Sequence, residues 1–278
     1  MTEYLFVSDL DGTLFDAEAK ITTETATMLN EFIEEGLNFT VATGKSFCSI
    51  QNQVCKLDLQ LPIVCYDGAC TRMSNGDIIN CNFVDKNIVS QALEVFIKSN
   101  CNVLLYYLDN DFLTENVGIY LQNEEDKYIK RFVKNRQGRT FTYFQKEPNT
   151  LDLFFLGTVG SYDKICSLKN ALLLHGIRSV NLNADTYEKG MYWLKVSNPL
   201  SKKYIAVSDI MRMASLRKVV VFGDGENDLD LFERADISIA VKNASVSIKQ
   251  KADVIIKKNT DNAVARYIDS ILKRGSFI

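Results

Sequence analysis

The chain has 278 residues, 35 acidic against 32 basic, a net charge of −3, and 46% hydrophobic residues, enough for one large or two modest globular domains. Its single histidine, His175, excludes H-E-x-x-H zinc chemistry and His-rich metal sites, and the absence of basic excess argues against a nucleic-acid or anionic-membrane surface. Acid–base chemistry, if there is any, falls to carboxylates or lysine. Seven scattered cysteines without a C-x-x-C spacing point to reduced core thiols, and with no span-length apolar stretch or cleavable leader the chain reads as cytoplasmic. His175 itself precedes Gly176 after an apolar run and reads as a helix C-terminal residue before a glycine cap.

Taken in chain order, Tyr4–Val7 is a short apolar strand broken by Asp9-Leu10-Asp11-Gly12-Thr13. Apolar spacing predicts a helix over Thr22–Glu35, a strand over Leu37–Ala42 ending in Thr43-Gly44, a helix over Ser46–Lys56 and a third strand over Pro62–Tyr66. This alternation predicts a parallel sheet. From about Asp85 the rhythm changes. A helix at Asn87–Lys98 leads to strands at Asn102–Leu108 and Phe112–Glu115 around an Asp109-Asn110-Asp111 turn. A charged helix over Tyr120–Lys134 follows, then strands at Thr140–Phe144 and Leu151–Val159, a helix at Tyr162–His175, and strands at Arg178–Asn183 and Met191–Val196. After Ser197-Asn198-Pro199 the first rhythm returns, with a helix to Met213 and a strand Val219–Phe222 ending in Gly223-Asp224. The predicted architecture is α/β: a Rossmann-like parallel-sheet core in two parts, residues 1–84 and 198–278, with an inserted α+β cap domain at 85–197.

Ligands of open parallel sheets collect beyond the carboxyl ends of the strands. Here three strand ends carry Asp9-Leu10-Asp11-Gly12-Thr13, Thr43-Gly44 and Gly223-Asp224-Gly225-Glu226-Asn227-Asp228. Familiar loops do not account for them. Counted from Asp9, an EF-hand would need Gly where Leu14 stands and Glu where Lys20 stands; a P-loop ending at Gly44-Lys45-Ser46 would need Gly at Phe39. Converging Asp9, Asp11, Asp224 and Asp228 on one edge sets like charges against each other, about 4 kcal/mol per pair at 4 Å and an effective dielectric of 20. A hard divalent cation such as Mg²⁺ relieves this, and Lys202 after Ser201 is read as an added fixed positive charge at a helix start.

These motifs, in this order, resemble the haloacid dehalogenase-like (HAD) phosphohydrolases, specifically their Cof-type sugar-phosphatase branch. Asp9-Leu10-Asp11-Gly12-Thr13-Leu14, Thr43-Gly44, Ser201-Lys202 and Gly223–Asp228 match the four family motifs, and Ala240–Ala244 with Ala252-Asp253 fit the family tail. The resemblance implies a Mg²⁺-dependent phosphatase acting on a small phosphorylated metabolite through an aspartyl-phosphate. It implies Asp9 as nucleophile and Asp11 as acid and base. Thr43, Gly44, the Leu10 amide, Lys202 and Asn227 would hold the phosphoryl group, with Asp9, Asp11, Asp224 and Asp228 around the metal. Lys45 and Asp67 depart from the family's usual Arg and Asn and are expected to border the pocket, which bears on substrate identity; Lys203 and Asn262 stand where glycines are common. Tyr187, Glu188, Lys189, Gly190 and Tyr192 are candidate substrate-selecting residues. A phosphosugar mutase and a non-catalytic phosphosugar-binding protein are the alternatives. No nucleic-acid or membrane partner is expected, and the sequence leaves the oligomeric state open.

Overall fold

Tyr4–Ser8 (β1) is buried at every position but the first, and the chain turns from it through Leu10–Leu14 into helix α1 (Thr23–Glu34). Thr22 caps α1 by accepting the Thr25 amide, and Ala26, Leu29 and Phe32 form its inward stripe. Strand β2 (Asn38–Val41), helix α2 (Phe47–Val54) and strands β3 (Ile63–Cys65), β4 (Cys70–Arg72) and β5 (Ile78–Cys81) follow. The next segment comprises α3 (Lys86–Lys98), β6 (Val103–Leu108), β7 (Glu115–Tyr120), α4 (Lys127–Lys134), β8 (Phe141–Phe144), β9 (Asp152–Ser161), α5 (Tyr162–Leu174), β10 (Val180–Ala184) and β11 (Met191–Ser197). The chain closes with α6 (Lys203–Met213), β12 (Lys218–Gly223), α7 (Leu229–Phe232), β13 (Ile237–Ala240), α8 (Val246–Lys251), β14 (Val254–Ile255) and α9 (Ala263–Arg274). The structure, a computed structural model, describes residues 3–109, 114–123, 126–134, 141–145, 151–185 and 188–275.

The chain divides into two units, Met1–Cys81 with Leu200–Ile278, and Asn82–Pro199. In the first, a five-stranded parallel sheet runs β14-β13-β12-β1-β2. Its central pair joins the two ends of the chain, with Tyr4 opposite Lys218 and Ser8 opposite Phe222. Leu5, Val7, Val219 and Val221 pack with Ala206, Val207, Ile210 and Phe232 on one side. The predicted third strand, β3, lies parallel beside β2 through a bridge between Ala42 and Val64, with the Thr43 amide donating to the Val64 carbonyl, and makes its own ladder with β4 in an antiparallel sheet β3-β4-β5 that the sequence does not predict. Strands β4 and β5 have no apolar alternation that would announce them.

The second unit is a six-stranded sheet, β10-β11-β9-β6-β7-β8, antiparallel except for β7 with β8. Leu93 and Phe96 of α3 and Ile165, Leu168 and Leu172 of α5 share one apolar cluster with Leu105, Leu156 and Leu194 from the strands. The predicted helix over 120–134 begins later: β7 runs through Tyr120, and α4 starts at Lys127 after Asp126 accepts the Tyr128 and Ile129 amides. Asn110 and Asp111 of the predicted turn, and Phe112 with it, lie outside the described residues. His175 is the C-cap of α5 ahead of Gly176 at φ +82°, as its sequence context predicts.

Asn262 explains its departure from glycine. It adopts the left-handed φ of +53° that asparagine tolerates, and its Oδ1 accepts from Thr22 Oγ1 at 2.8 Å and Thr25 Oγ1 at 3.1 Å, while Nδ2 donates to Glu24 at 2.8 Å. The side chain thus ties α1 to α9. Asn262→Ala, which keeps the strained backbone and removes these bonds, is expected to cost about 1–3 kcal/mol, measured as a lowered urea midpoint.

Candidate active site

Parallel pairing sets β1 and β12 side by side, so the residues following their last ladder positions emerge together: Asp9 after Ser8, and Asp224 after Gly223. The Asp9 amide prolongs the ladder by donating to the Phe222 carbonyl at 2.9 Å. On the other flank the Ala42 amide donates to the Ser8 carbonyl at 2.9 Å, which brings Thr43-Gly44 to the same edge. Asp9 is 6% and Thr43 1% exposed.

Lys203 organises the centre. Its side chain is 1% exposed, and its Nζ donates at 2.7 Å to both Asp9 Oδ1 and Asp228 Oδ1. Asp228 Oδ2 in turn accepts the amides of Asp224 and Gly225, each at 3.1 Å. The sequence predicts Lys202 in this place, and the structure corrects the register by one residue. Lys202 is the N-cap of α6, whereas Lys203 begins the face that buries Ala206, Val207 and Ile210 at i+3, i+4 and i+7. That apolar spacing is the signal by which the inward lysine could have been chosen. Gly68, at φ +100°, lets the chain pass close beneath: a Cβ there would lie 2.4 Å from the Lys202 carbonyl oxygen.

Burial pushes the Asp9 carboxyl well above its usual range, Lys203 opposing and Asp228 and Asp224 adding to the rise. Burial likewise pushes Asp224 up to about 6, with Asp228 adding and the Thr13 hydroxyl, 3.2 Å from Asp224 Oδ1, drawing it down. Burial works against the Lys203 charge, yet Asp228 and Asp9 together hold it above the ordinary lysine range. One buried cation therefore serves three clustered carboxylates, and Asp9 and Asp224 hold their protons more tightly than a free aspartate.

Ligand atoms of Asp9, Asp224 and Asp228 lie within 4.8 Å of one another, a donor set of hard oxygens that could hold a divalent cation. Gly12 completes the cradle at φ +74°: a Cβ there would stand 2.2 Å from Asp224 Oδ2, so any other residue would displace that carboxylate. The Asn243 side chain, in the tail segment that the sequence gives no site role, donates to the Gly12 carbonyl at 2.7 Å and fixes this turn.

Around this centre, Lys45 Nζ pairs with Asp11 Oδ1 at 3.1 Å, both partly exposed. Asp67, at φ +53°, accepts from Asn227 Nδ2 at 3.2 Å, and its Oδ1 lies 2.9 Å from where a Cβ on Gly44 would be. Leu10 is fully buried. In the other unit, Glu188 accepts from Arg131 at 2.8 Å and Tyr192 packs edge-on against Tyr162; Tyr187 lies outside the described residues.

Residues 6–268 match the haloacid dehalogenase-like hydrolase family. The chain is 24% identical to the 5-amino-6-(5-phospho-D-ribitylamino)uracil phosphatase YwtE of Bacillus subtilis over 95% of its own length and 96% of the relative's. Its fold is similar to that of a haloacid dehalogenase-like hydrolase from Bacteroides thetaiotaomicron, with a TM-score of 0.77 at 22% identity, covering 96% of this chain and 99% of the other. It is also similar to that of a HAD subclass IIB sugar phosphatase, with a TM-score of 0.72 at 15% identity over 98% and 99% of the two chains. With the match running through all three strand-end motifs and the family-wide fold, the chain belongs to the haloacid dehalogenase-like hydrolases.

Proposed function

We propose that the protein is a Mg²⁺-dependent phosphatase of small phosphorylated metabolites, with phosphorylated sugars and sugar alcohols as the substrate class. The observation that carries this reading is a buried nucleophile-type carboxylate, Asp9, held at 2.7 Å by Lys203 beside Asp224, with a second carboxylate, Asp11, two residues on. The Bacillus relative, a phosphatase of a phosphoribitylamino compound, supports the substrate class.

In this mechanism Asp9, oriented through Oδ1 by Lys203, attacks phosphorus through Oδ2. The ester bond breaks, and the leaving oxygen takes a proton from the Asp11 carboxyl. Asp11, now a carboxylate, takes a proton from water, whose oxygen attacks the aspartyl-phosphate and releases inorganic phosphate and free Asp9. Thr43, Gly44 and the Leu10 amide bind the phosphoryl oxygens, joined by the amide side chain of Asn227. Lys203 takes the charge-neutralising role that the sequence predicts for Lys202, and Lys45 supplies a second, more exposed cation. Asp9, the Asp11 carbonyl and Asp224 would hold Mg²⁺, with Asp228 orienting Lys203 and the Asp224 loop. The ion supplies a positive charge beside phosphoryl oxygens, where transferring charge is stabilised mainly by electrostatics.

Asp9→Asn is expected to lower phosphate release from p-nitrophenyl phosphate by about three orders of magnitude or more with an unchanged circular dichroism spectrum. Retained turnover would exclude the phospho-enzyme. Isomerisation of a phosphosugar without release of phosphate would assign the mutase reaction instead. Lys203→Met should lose activity by about a hundredfold or more and lower stability by about 3–5 kcal/mol, because it strands two buried carboxylates, whereas Lys202→Met should change kcat/KM less than about threefold. Parallel kinetics and urea titrations of the two variants test the register directly.

Metal removal has a pH signature. The folded-state Asp224 group ionises near 6, above the roughly 3.9 of an unfolded aspartate, so the folded state binds protons more tightly. In a chelator, this group's contribution to stability should fall as pH rises from about 4 through 6. Added Mg²⁺ should raise Tm chiefly above pH 6, where protons no longer compete. Thermal melts with and without the ion across this range provide the measurement.

A further inference from the structure

Three cysteines form a row across the small antiparallel sheet of the first unit. The β3–β4 ladder sets Cys65 opposite Cys70, and the β4–β5 ladder sets Cys70 opposite Cys81. Directly opposed residues share a face, and their Cα separation of roughly 4.5–5.5 Å falls within the 4.4–6.8 Å that a disulfide spans. In this row Cys81 donates its thiol to Cys70 Sγ at 3.3 Å, so these two sulfurs are already in contact. Cys65 and Cys70 are buried, at 0% and 1% exposure, whereas Cys81 is partly open to solvent. The row therefore has an accessible thiol with a buried thiol directly behind it. All seven cysteines are free thiols, and Cys48 and Cys55 are exposed, contrary to the expectation of uniformly buried cysteines.

We propose that Cys70 and Cys81 are a modification site, a dithiol that a low-molecular-weight disulfide such as oxidised glutathione converts to a cross-strand disulfide. Cys81, the accessible member, attacks one sulfur of the oxidant as its thiolate; a mixed disulfide forms and one glutathione thiol leaves, taking up the proton Cys81 gave up. Cys70, 3.3 Å away, then attacks the Cys81 sulfur and displaces the second glutathione as a thiol. Two protein thiols are oxidised and one glutathione disulfide is reduced to two thiols, so electrons and protons balance. Neither cysteine belongs to the carboxylate centre. Cys81 ends β5 and is the last residue of the first core segment, with Asn82 opening the second unit. The bond would pin β5 to β4 at the point where the chain leaves the core.

The full-length protein is incubated with oxidised glutathione, its remaining thiols are alkylated, and it is digested with trypsin without reduction. Cleavage after Arg72 separates Cys70 from Cys81, whereas Cys65 and Cys70 stay on one peptide. The expected product is a crosslinked pair of peptides, lighter by two hydrogens than their sum and separated by dithiothreitol, while Cys48 and Cys55 carry glutathione. Cys70→Ser should abolish the crosslink and leave Cys81 as the glutathione adduct. A bridge within the Cys65–Cys70 peptide overturns the proposal, as does a persistent glutathione adduct on wild-type Cys81, or recovery of Cys70 and Cys81 as alkylated thiols.

Discussion

A single buried ammonium, Lys203 Nζ, held at 2.7 Å by Asp9 and by Asp228, is the interaction on which the carboxyl edge of the sheet depends. Breaking such a pair from one side leaves an uncompensated charge in the interior, which costs several kcal/mol. Asp228 meets this demand twice, spending one oxygen on the lysine and the other on the Asp224 and Gly225 amides. The turn that presents Asp224 and the helix that presents Lys203 are thus locked by the same carboxylate. Asp9 is left with a fixed orientation beside two further carboxylates, a set of hard oxygens that suits a cation.

The way the edge is built follows from parallel pairing. β1 lies between β12 and β2, so one strand end is flanked by the two others, and no long loop is needed to bring Asp9, Asp224 and Thr43 together. Backbone hydrogen bonds continue the ladder one residue beyond the strands on both sides, at Asp9 and Ala42. The positions of the functional side chains are therefore extensions of the sheet's own register. Farther out, Lys45 and Asp67 sit on turns beyond the parallel ladder, where the Tyr66 amide donates to the Lys45 carbonyl and the Asp67 amide to the Thr43 carbonyl.

Most of this edge was legible in the residues. Apolar runs ending abruptly in Asp-x-Asp-Gly-Thr, Thr-Gly and Gly-Asp have one economical explanation, strands whose carboxyl ends carry chemistry. The lysine was misread because two adjacent lysines satisfy the same motif, and only the helical spacing of Ala206, Val207 and Ile210 distinguishes the inward one. Strands β4 and β5 escaped notice because Cys-Thr-Arg and Ile-Ile-Asn-Cys have no alternating pattern; their existence rests on pairing with β3 across a turn. In the second unit, Glu115–Tyr120 pairs along β6 while the charged sequence after it suggests continuous helix, so the boundary fell on the wrong side of Tyr120. Local spacing identifies elements, whereas partners far away in sequence decide which of two adjacent residues faces inward.

The pairing of Tyr4 with Lys218 has a further consequence, for the order in which the protein comes into being. During synthesis β1 is made more than two hundred residues before one of its two neighbours in the sheet. The whole of the intervening unit, whose strands pair among themselves, is synthesised before that neighbour exists. Until then the chain has Asp9 but lacks Asp224, and contacts so distant in sequence close slowly. The carboxylate centre is consequently completed only after everything between the two parts of the core has been synthesised.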